Sequence, residues 1–452
     1  MSTQLTAGLA ESLTATPVGA ERSSRIPGFY RLSVDERRRA LTEGGWLTPE
    51  GAQALARHAG FQESVADTMS ENVVGIHGLP LAVGLNFRIN GRDYVAPMSV
   101  EEPSVVAAAS NAARLTLVSG GFAAEVDEPL MIAQIQLTGV PDVNAAREGL
   151  SANHAEIVDR ANSIIPEMVR RGGGVRDVEL RVLEELPAGA MIAVHLVVDT
   201  RDAMGANILN TLAETMASPI QAITGGRVGL RILSNLADRR RVRVRVRLPV
   251  ASLAGDGFTG EQVREGIVAA SRFAELDPYR ACTHNKGIMN GVDAVVMATG
   301  NDWRAVEAGA HAWAAHGGRY APLATWHVNE IGDLIGVLEM PLALGIVGGA
   351  VRAHPGVRLA LDLAGVGSAQ ELAMLAAAVG LASNLAALKA LSSTGIQKGH
   401  MALHARSVAA EVGAAGEEIE QVALELAREG DYRPARARAA LKQLRLRLVV
   451  HE

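Results

Sequence analysis

The chain of 452 residues contains a single cysteine, Cys282, so no disulfide can form within it. Aromatic residues make up only 3% of it while hydrophobic residues make up 48%. Ala, Val, Leu, Ile and Gly must therefore fill the interior, which suits closely packed helices. There is no excess of basic charge: the formal net charge is −6, which excludes bulk nucleic-acid binding. No Lys or Arg stands in residues 1–20, so the basic start of a signal peptide is missing. The Ser, Thr, Ala and Gly there predict a disordered leader over residues 1–25. The longest apolar stretch, Leu372 to Leu391, contains Ser383, Asn384 and Lys389 at helical spacing. It reads as a buried core helix, not a bilayer span. With no export or anchoring signal, the expected location is the cytoplasm, with no membrane partner.

Several motifs are also missing. No Gly-x-Gly-x-x-Gly follows a strand, which excludes an ordinary Rossmann fingerprint. There is no Walker A sequence, no Cys-x-x-Cys pair and no Gly-x-Ser-x-Gly elbow.

What is present reads as α+β. Ser33-Val-Asp-Glu36 is a capping box that opens short helices up to Gly60, and Val65 to Val74 continues in that character. Asn90-Gly91 predicts a tight hairpin within Phe87 to Tyr94. Pro103 to Leu117 is helical, with Pro where its missing N–H costs little. Strands over Leu130–Val140, Asp177–Leu183, Met191–Val198 and Arg227–Leu233 alternate with helices over Asn144–Arg171 and Asn207–Ile223. That β-α-β-β-α-β order is ferredoxin-like. Val and Arg alternate from Arg239 to Arg247, which predicts a strand with one wet face, or a helper site for an anionic ligand. Helices follow over Gly260–Glu275 and Asp302–Ala315, then a hairpin over Thr325–Leu338, a long helix over Ala369–Ala390 and a helical tail from His400. The expected architecture is a large, mainly helical domain (26–128 and 236–396). A small ferredoxin-like, dinucleotide-binding domain (129–235) is inserted in it, and a C-terminal helical flap (397–452) follows.

Asp202-Ala-Met204-Gly205-Ala206-Asn207 lies between a strand and a helix. Free N–H groups and the positive end of the helix dipole there suit a pyrophosphate, although a plain cap by Asp202 fits as well. Glu101-Glu102-Pro103-Ser104 puts two carboxylates before a helix, either to complement its dipole or to supply a general acid. Thr283 to Gly291 is polar and punctuated by Gly, so it reads as a loop that presents Lys286 to solvent or to an oxyanion. Asp302 stands where it could cap a helix. His400 and His404 share a helix face, but Met401 occupies the place of the metalloprotease Glu, and no metal is expected.

Taken together, eight segments resemble the soluble, bacterial-type (class II) HMG-CoA reductases, in order from about Ile26 to Arg406. They are Glu71-Asn-Val-Val-Gly75, Val100-Glu-Glu-Pro-Ser104, Asp202 to Asn207, Leu233-Ser-Asn235, Pro278-Tyr-Arg280, His284 to Asn290, Gly300-Asn-Asp302 and Gly399 to His404. The resemblance implies reduction of the HMG-CoA thioester by two nicotinamide hydrides to mevalonate and free coenzyme A. It assigns catalysis to Lys286 beside the oxyanion, Glu102 as proton donor, Asp302 as a carboxylate bridging the two, and His400 as acid for the departing thiolate. It places Ser104, Asn235, Arg280 and Asn290 at the substrate, with Arg280 on the free carboxylate. It also implies a homodimer that shares its active sites, with a mobile flap carrying His400.

The chain departs from the pattern in one place. NADH-using members carry an Asp before the Gly-Gly-Gly turn, and Ile165 holds that position here. Glu167 is the substitute acceptor for the ribose hydroxyls, which favours NADH. Arg170 and Arg171 would instead favour the 2′-phosphate of NADPH. Two rival readings stand beside this one: another coenzyme A thioester oxidoreductase on the same scaffold, and a non-catalytic coenzyme A or nucleotide-binding protein.

Overall fold

The structure is a computed structural model. It describes residues 22–184, 189–393 and 395–450, except for the side chains of 350, 352, 396–403 and 448–450. The leader expected over 1–25 lies outside the described residues as far as Glu21. Residues 22–25 do not belong to it. Ser24 is buried, with its N–H on the Asp93 carboxylate at 2.8 Å and its hydroxyl on Phe87 O at 3.2 Å.

Among the described residues, ten strands form two sheets: β1 (Leu81–Ile89), β2 (Arg92–Ser99), β3 (Phe122–Val126), β4 (Leu130–Val140), β5 (Gly174–Glu184), β6 (Ala190–Asp199), β7 (Arg227–Leu233), β8 (Arg241–Leu248), β9 (Ala324–Val328) and β10 (Leu334–Pro341). The larger sheet runs β2-β1-β3-β8-β10-β9, and the smaller β5-β6-β4-β7. The large part of the molecule is thus built on a six-stranded sheet as well as helices. The smaller sheet is antiparallel throughout, and its order is that of a ferredoxin-like unit. Asn90 and Gly91 join β1 to β2 with φ of 50° and 82°, the left-handed backbone that a two-residue hairpin turn requires.

The Val face of β8 is buried, and its Arg face is a ladder of ion pairs. Arg241 meets Asp127 and Glu339 at 2.8 and 3.1 Å, Arg243 meets Glu339 at 2.6 Å, and Arg247 meets Asp333 at 3.3 Å. These carboxylates belong to the protein itself, so three of the strand's arginines already have anionic partners.

Behind the larger sheet, the helices Gly260–Leu276, Pro278–Ala298 and Ala369–Leu391 pack together. The last is long and apolar enough to cross a membrane, but 78% of its apolar window is buried inside the protein. Small residues bring it close to its neighbour. A Cβ on Gly291 would fall 2.4 Å from Ser383 Oγ, and one on Gly380 would fall 2.7 Å from Val292 Cγ2. The helices Ile396–Glu411, Glu417–Glu429 and Pro434–Val450 enclose a separate small core that includes Val408 and Leu426.

Two elements differ from the sequence reading. Residues 283–291 are no loop: they lie inside the 21-residue helix Pro278–Ala298, which Asp277 caps by accepting from Arg280 N at 2.9 Å. Asn, His and Gly are weak helix formers, but here His284 and Asn285 are buried and packing overrides propensity. The helix expected to run to Val74 stops at Ala66; residues 71–80 have no regular structure, and Val74 is fully exposed.

Inside this core, Trp326 Nε1 donates to Asn384 Oδ1 at 2.7 Å, and Asn384 Nδ2 lies 3.1 Å from His284 Nε2. Burial and the Arg280 charge push the His284 pKa down to about 4, so its ring is neutral. Replacing Asn384 with Leu leaves the indole N–H buried without an acceptor, at an expected cost of about 1–3 kcal/mol. Denaturant unfolding should show the midpoint falling with an unchanged slope; an unmoved midpoint would refute this account of the network.

Candidate active site

Two elements deliver the central pair. Glu102 lies in the turn between β2 and the helix Val105–Thr116. Lys286 lies on the exposed face of the helix Pro278–Ala298, which packs against β2. Lys286 Nζ donates to Glu102 Oε2 at 3.0 Å. Both remain in contact with water, with side chains 62% and 36% exposed. Four residues on from Lys286, Asn290 shares its face of the helix. Arg280, six residues before Lys286, points about 120° away around the axis. The Arg280 guanidinium makes no hydrogen bond or ion pair among the described residues, and burial lowers its pKa. Ser104 begins the helix after Glu102 with a left-handed φ of 81°.

Asp302 caps the helix Trp303–Ala314, accepting from Arg304 N and Ala305 N at 3.1 Å each. Its carboxylate also meets Arg304 at 3.2 Å. It does not bridge Lys286 and Glu102. Sixteen residues separate it from Lys286, and the two helices run back along one another, linked where Tyr320 joins Asn285 to His311. At 1.5 Å per helical residue that separation is roughly 15–20 Å, beyond the reach of a Lys–Asp pair within one chain.

The loop after β6 forms the second part of the site. Gly205, not Asp202, stands at the N-cap of the helix Ala206–Thr224, with φ of 97° and no side-chain cap. A Cβ there would lie 2.5 Å from Thr200 Cγ2, so only glycine fits. Asp202 binds elsewhere, accepting at Oδ1 from Ala369 N at 2.9 Å. Ala206 and Asn207 begin the helix with N–H groups that meet no acceptor among the described residues, and Met204 N packs against Gly345. A cradle of small residues at an uncapped helix start fits the phosphates of a dinucleotide.

This loop is tied to the Gly300–Asp302 turn through the segment after β10. Arg240 donates to Thr200 Oγ1 and Ala203 O at 3.0 Å each, and to Leu344 O. Ile346 N donates to Asp202 O at 2.9 Å. Asn301, next to Asp302, takes Gly345 N at 2.7 Å and gives to Gly345 O at 3.1 Å. Asn235 lies on the link from β7 to β8, with its backbone oxygen against Gly309.

On the Pro166–Arg170 helix, Glu167 and Arg170 form an ion pair with each other, both mostly exposed. Ile165 is buried. His400 belongs to the helix Ile396–Glu411, but its side chain lies outside the described residues. Among the described residues, no group of three or more His, Cys, Asp or Glu is placed to hold a metal. Composition carried one signal that motif reading passed over. The sequence has only four lysines, Lys286, Lys389, Lys398 and Lys442, against many arginines, so a lysine in a helix facing a carboxylate stands out.

Known proteins match this arrangement over most of its length. The profile of the family described as hydroxymethylglutaryl-coenzyme A reductase matches residues 33–405. The 3-hydroxy-3-methylglutaryl-coenzyme A reductase of Archaeoglobus fulgidus is 49% identical over 94% of this chain and 95% of its own. A Streptococcus pneumoniae 3-hydroxy-3-methylglutaryl-coenzyme A reductase structure covers 92% of this chain and 99% of its own, with a TM-score of 0.79 and 40% identity. A second structure from that organism, a class II enzyme bound to NADPH in open conformations, covers 81% and 99%, with a TM-score of 0.78 and 41% identity. The profile, the high identity and the shared fold agree: the chain belongs to the hydroxymethylglutaryl-coenzyme A reductase family of oxidoreductases and has the class II fold.

Proposed function

We propose that the protein reduces HMG-CoA to mevalonate and free coenzyme A, through a thiohemiacetal and mevaldehyde, in mevalonate and isoprenoid metabolism. The observation that carries this reading is the Lys286–Glu102 pair, set on a chain of this family. Bound nicotinamide cofactor supplies one hydride for each reduction. Met204, Gly205, Ala206 and Asn207 would hold its phosphates with the N–H groups of the helix start, and Asp202, whose carboxylate is held by Ala369 N, would fix the loop that carries them.

Each reduction builds negative charge on a carbonyl oxygen, and the Lys286 ammonium stabilises it. Glu102 supplies a proton to the alkoxide of the second reduction. Arg280 pairs with the substrate's free carboxylate, which compensates a guanidinium that has no partner of its own. Ser104, Asn235 and Asn290 complete the substrate contacts. His400 protonates the departing thiolate, so that it does not recapture the aldehyde. The protein is soluble and cytoplasmic, with its one long apolar helix serving as core.

The working unit is a homodimer, with substrate on the large part of one copy and cofactor on the small part of the other. Three features support this. Asp302 is out of reach of the Lys286 in its own chain, so a second copy has to bring it there. The Glu71–Gly75 segment has no regular structure and exposes Val74 in full, as a segment does that docks on a neighbour. An apolar groove of about 1490 Å³ runs between the N-terminal segment and Gly300, beside the Asp302 turn.

Lys286→Ala should fold and lose roughly 10²–10³-fold or more in kcat, as expected for a lost oxyanion donor. Near-normal turnover would sink the assignment. Mixed with Asp302→Asn, which keeps the helix cap, this variant should regain part of the wild-type rate, because a heterodimer restores one intact site. If Asp302 served its own chain, mixing would restore nothing.

His400→Gln should slow HMG-CoA reduction far more than reduction of added mevaldehyde, which has no thiolate to protonate. Equal slowing of both steps would give His400 another role.

Cofactor selection lies on the Pro166–Arg170 helix. NADH is modestly preferred, with Glu167 accepting the ribose hydroxyls and repelling a 2′-phosphate. Glu167→Gln should raise kcat/KM for NADPH relative to NADH. A wild-type preference for NADPH that collapses in Arg170→Ala would reverse both the residue and the cofactor.

A further inference from the structure

The turn from Thr200 to Gly205, which leads into the helix Ala206–Thr224, holds two residues in the left-handed region, Arg201 with φ of 50° and Gly205 with φ of 97°. A non-glycine residue persists there only where its surroundings hold it. Thr200 is the anchor, and it is fully buried. Its N–H donates to Pro129 O at 3.0 Å, and its carbonyl accepts from Ala203 N at 3.0 Å, which closes the turn. Its hydroxyl lies 3.0 Å from Ala203 O and 3.3 Å from Pro129 O, and its methyl fills the space that a side chain at Gly205 would need. Arg240 completes the arrangement from the protein side. A single nitrogen, Nη1, donates to both Thr200 Oγ1 and Ala203 O. The carboxylates nearby are engaged elsewhere: Asp199 with Arg176 at 2.9 Å and Arg201 N at 3.0 Å, and Asp202 with Ala369 N at 2.9 Å. Arg240 is thus a buried cation whose hydrogen bonds all go to neutral oxygens, set two residues behind the glycine of an anion cradle.

We propose that Thr200 and Arg240 are positioning residues for the nicotinamide dinucleotide: together they hold residues 200–205 in the one conformation in which the helix start can meet its phosphates. The proposal rests on the reductase reading for the identity of the ligand. Neither residue is a phosphate contact, because both are buried; they act through Ala203 O and through the room left at Gly205. Fixing the Ala203 carbonyl fixes the peptides that follow it, so the N–H groups at the helix start are aimed before the ligand arrives, and binding loses less to ordering the loop. The guanidinium charge adds to the positive potential of the helix start. NADH and NADPH carry the same pyrophosphate, so both must depend on the pair equally. Selection between them lies at the ribose, on another element.

The test compares full-length wild type, Thr200→Val, Arg240→Lys and Arg240→Met. Dissociation constants of NADH and NADPH are read from dihydronicotinamide fluorescence without substrate, and that of HMG-CoA from calorimetry without cofactor. Thr200→Val keeps a methyl against Gly205 and removes only the hydroxyl; it should weaken both dinucleotides roughly 3- to 10-fold. Arg240→Met should weaken both by roughly 10- to 100-fold. Arg240→Lys should fall between, since an ammonium keeps the charge but lacks the fork that spans separate acceptors. In every variant the NADPH-to-NADH ratio should stay constant and HMG-CoA affinity should stay within about twofold of wild type, below what one lost hydrogen bond is worth. HMG-CoA also carries a pyrophosphate, so its insensitivity shows which ligand the cradle serves. A merely structural role would lower the melting temperature and leave the dinucleotide affinities of the folded protein unchanged, or weaken all three ligands together; either result overturns the proposal. Should Arg240→Met not fold, Thr200→Val and Arg240→Lys decide alone. Wild type that binds neither dinucleotide would bring down the reductase reading and this proposal with it, whereas variants that bind both as tightly as wild type would bring down the proposal alone.

Discussion

A guanidinium removed from water must be given acceptors, and Arg240 finds three, none of them charged: Thr200 Oγ1, Ala203 O and Leu344 O. Only 3% of it reaches solvent, and burial draws its pKa down to about 10. Such a group tolerates its position only while every acceptor stays in place, because an unpaired buried charge costs several kcal/mol. Two of the acceptors belong to the loop before Gly205, and the third to the segment after β10 that Asn301 grips beside Asp302. The arginine therefore makes the two sheets one mechanical object. It holds the glycine cradle and the Gly300–Asp302 turn in a fixed relation, which a two-strand crossover of the backbone alone would not do.

Local chemistry was legible in the sequence, and long-range assembly was not. Asn90-Gly91 could be read because a two-residue turn depends on its own φ values. The Ser33–Glu36 capping box could be read because both of its bonds lie within four residues. The pairing β3-β8-β10 could not, since it joins strands more than eighty residues apart through contacts that no local pattern records. The helix over 283–291 was missed for the converse reason. Its residues argue against a helix one by one, and what holds them is burial of His284 and Asn285 and the close approach at Gly291. The site divides along the same line. Asp202 to Asn207 announced itself as a strand–turn–helix, whereas the role of Gly205 as the cap and the turn of Asp202 toward Ala369 depend on elements remote in sequence.

In a single chain, the Lys286–Glu102 pair is an ordinary surface ion pair, too well hydrated to stabilise an oxyanion strongly. Its catalytic value depends on what excludes water around it. Under the proposed function the large-part scaffold would supply geometry, and substrate, flap and second copy the low dielectric. The scarcity of lysine fits this division. Arginine forms the structural pairs, as along β8, while the one residue asked to stand free beside developing charge is an ammonium, a compact donor with three rotatable protons.

The meshing of Gly291 against Ser383, and of Gly380 against Val292, has a kinematic consequence. With each backbone seated in the notch of the other, the lysine-bearing helix can neither slide along its neighbour nor turn about its own axis without a steric collision. It behaves as a fixed bed. Whatever opens to admit a coenzyme A thioester, and whatever closes over it, has to be hinged elsewhere.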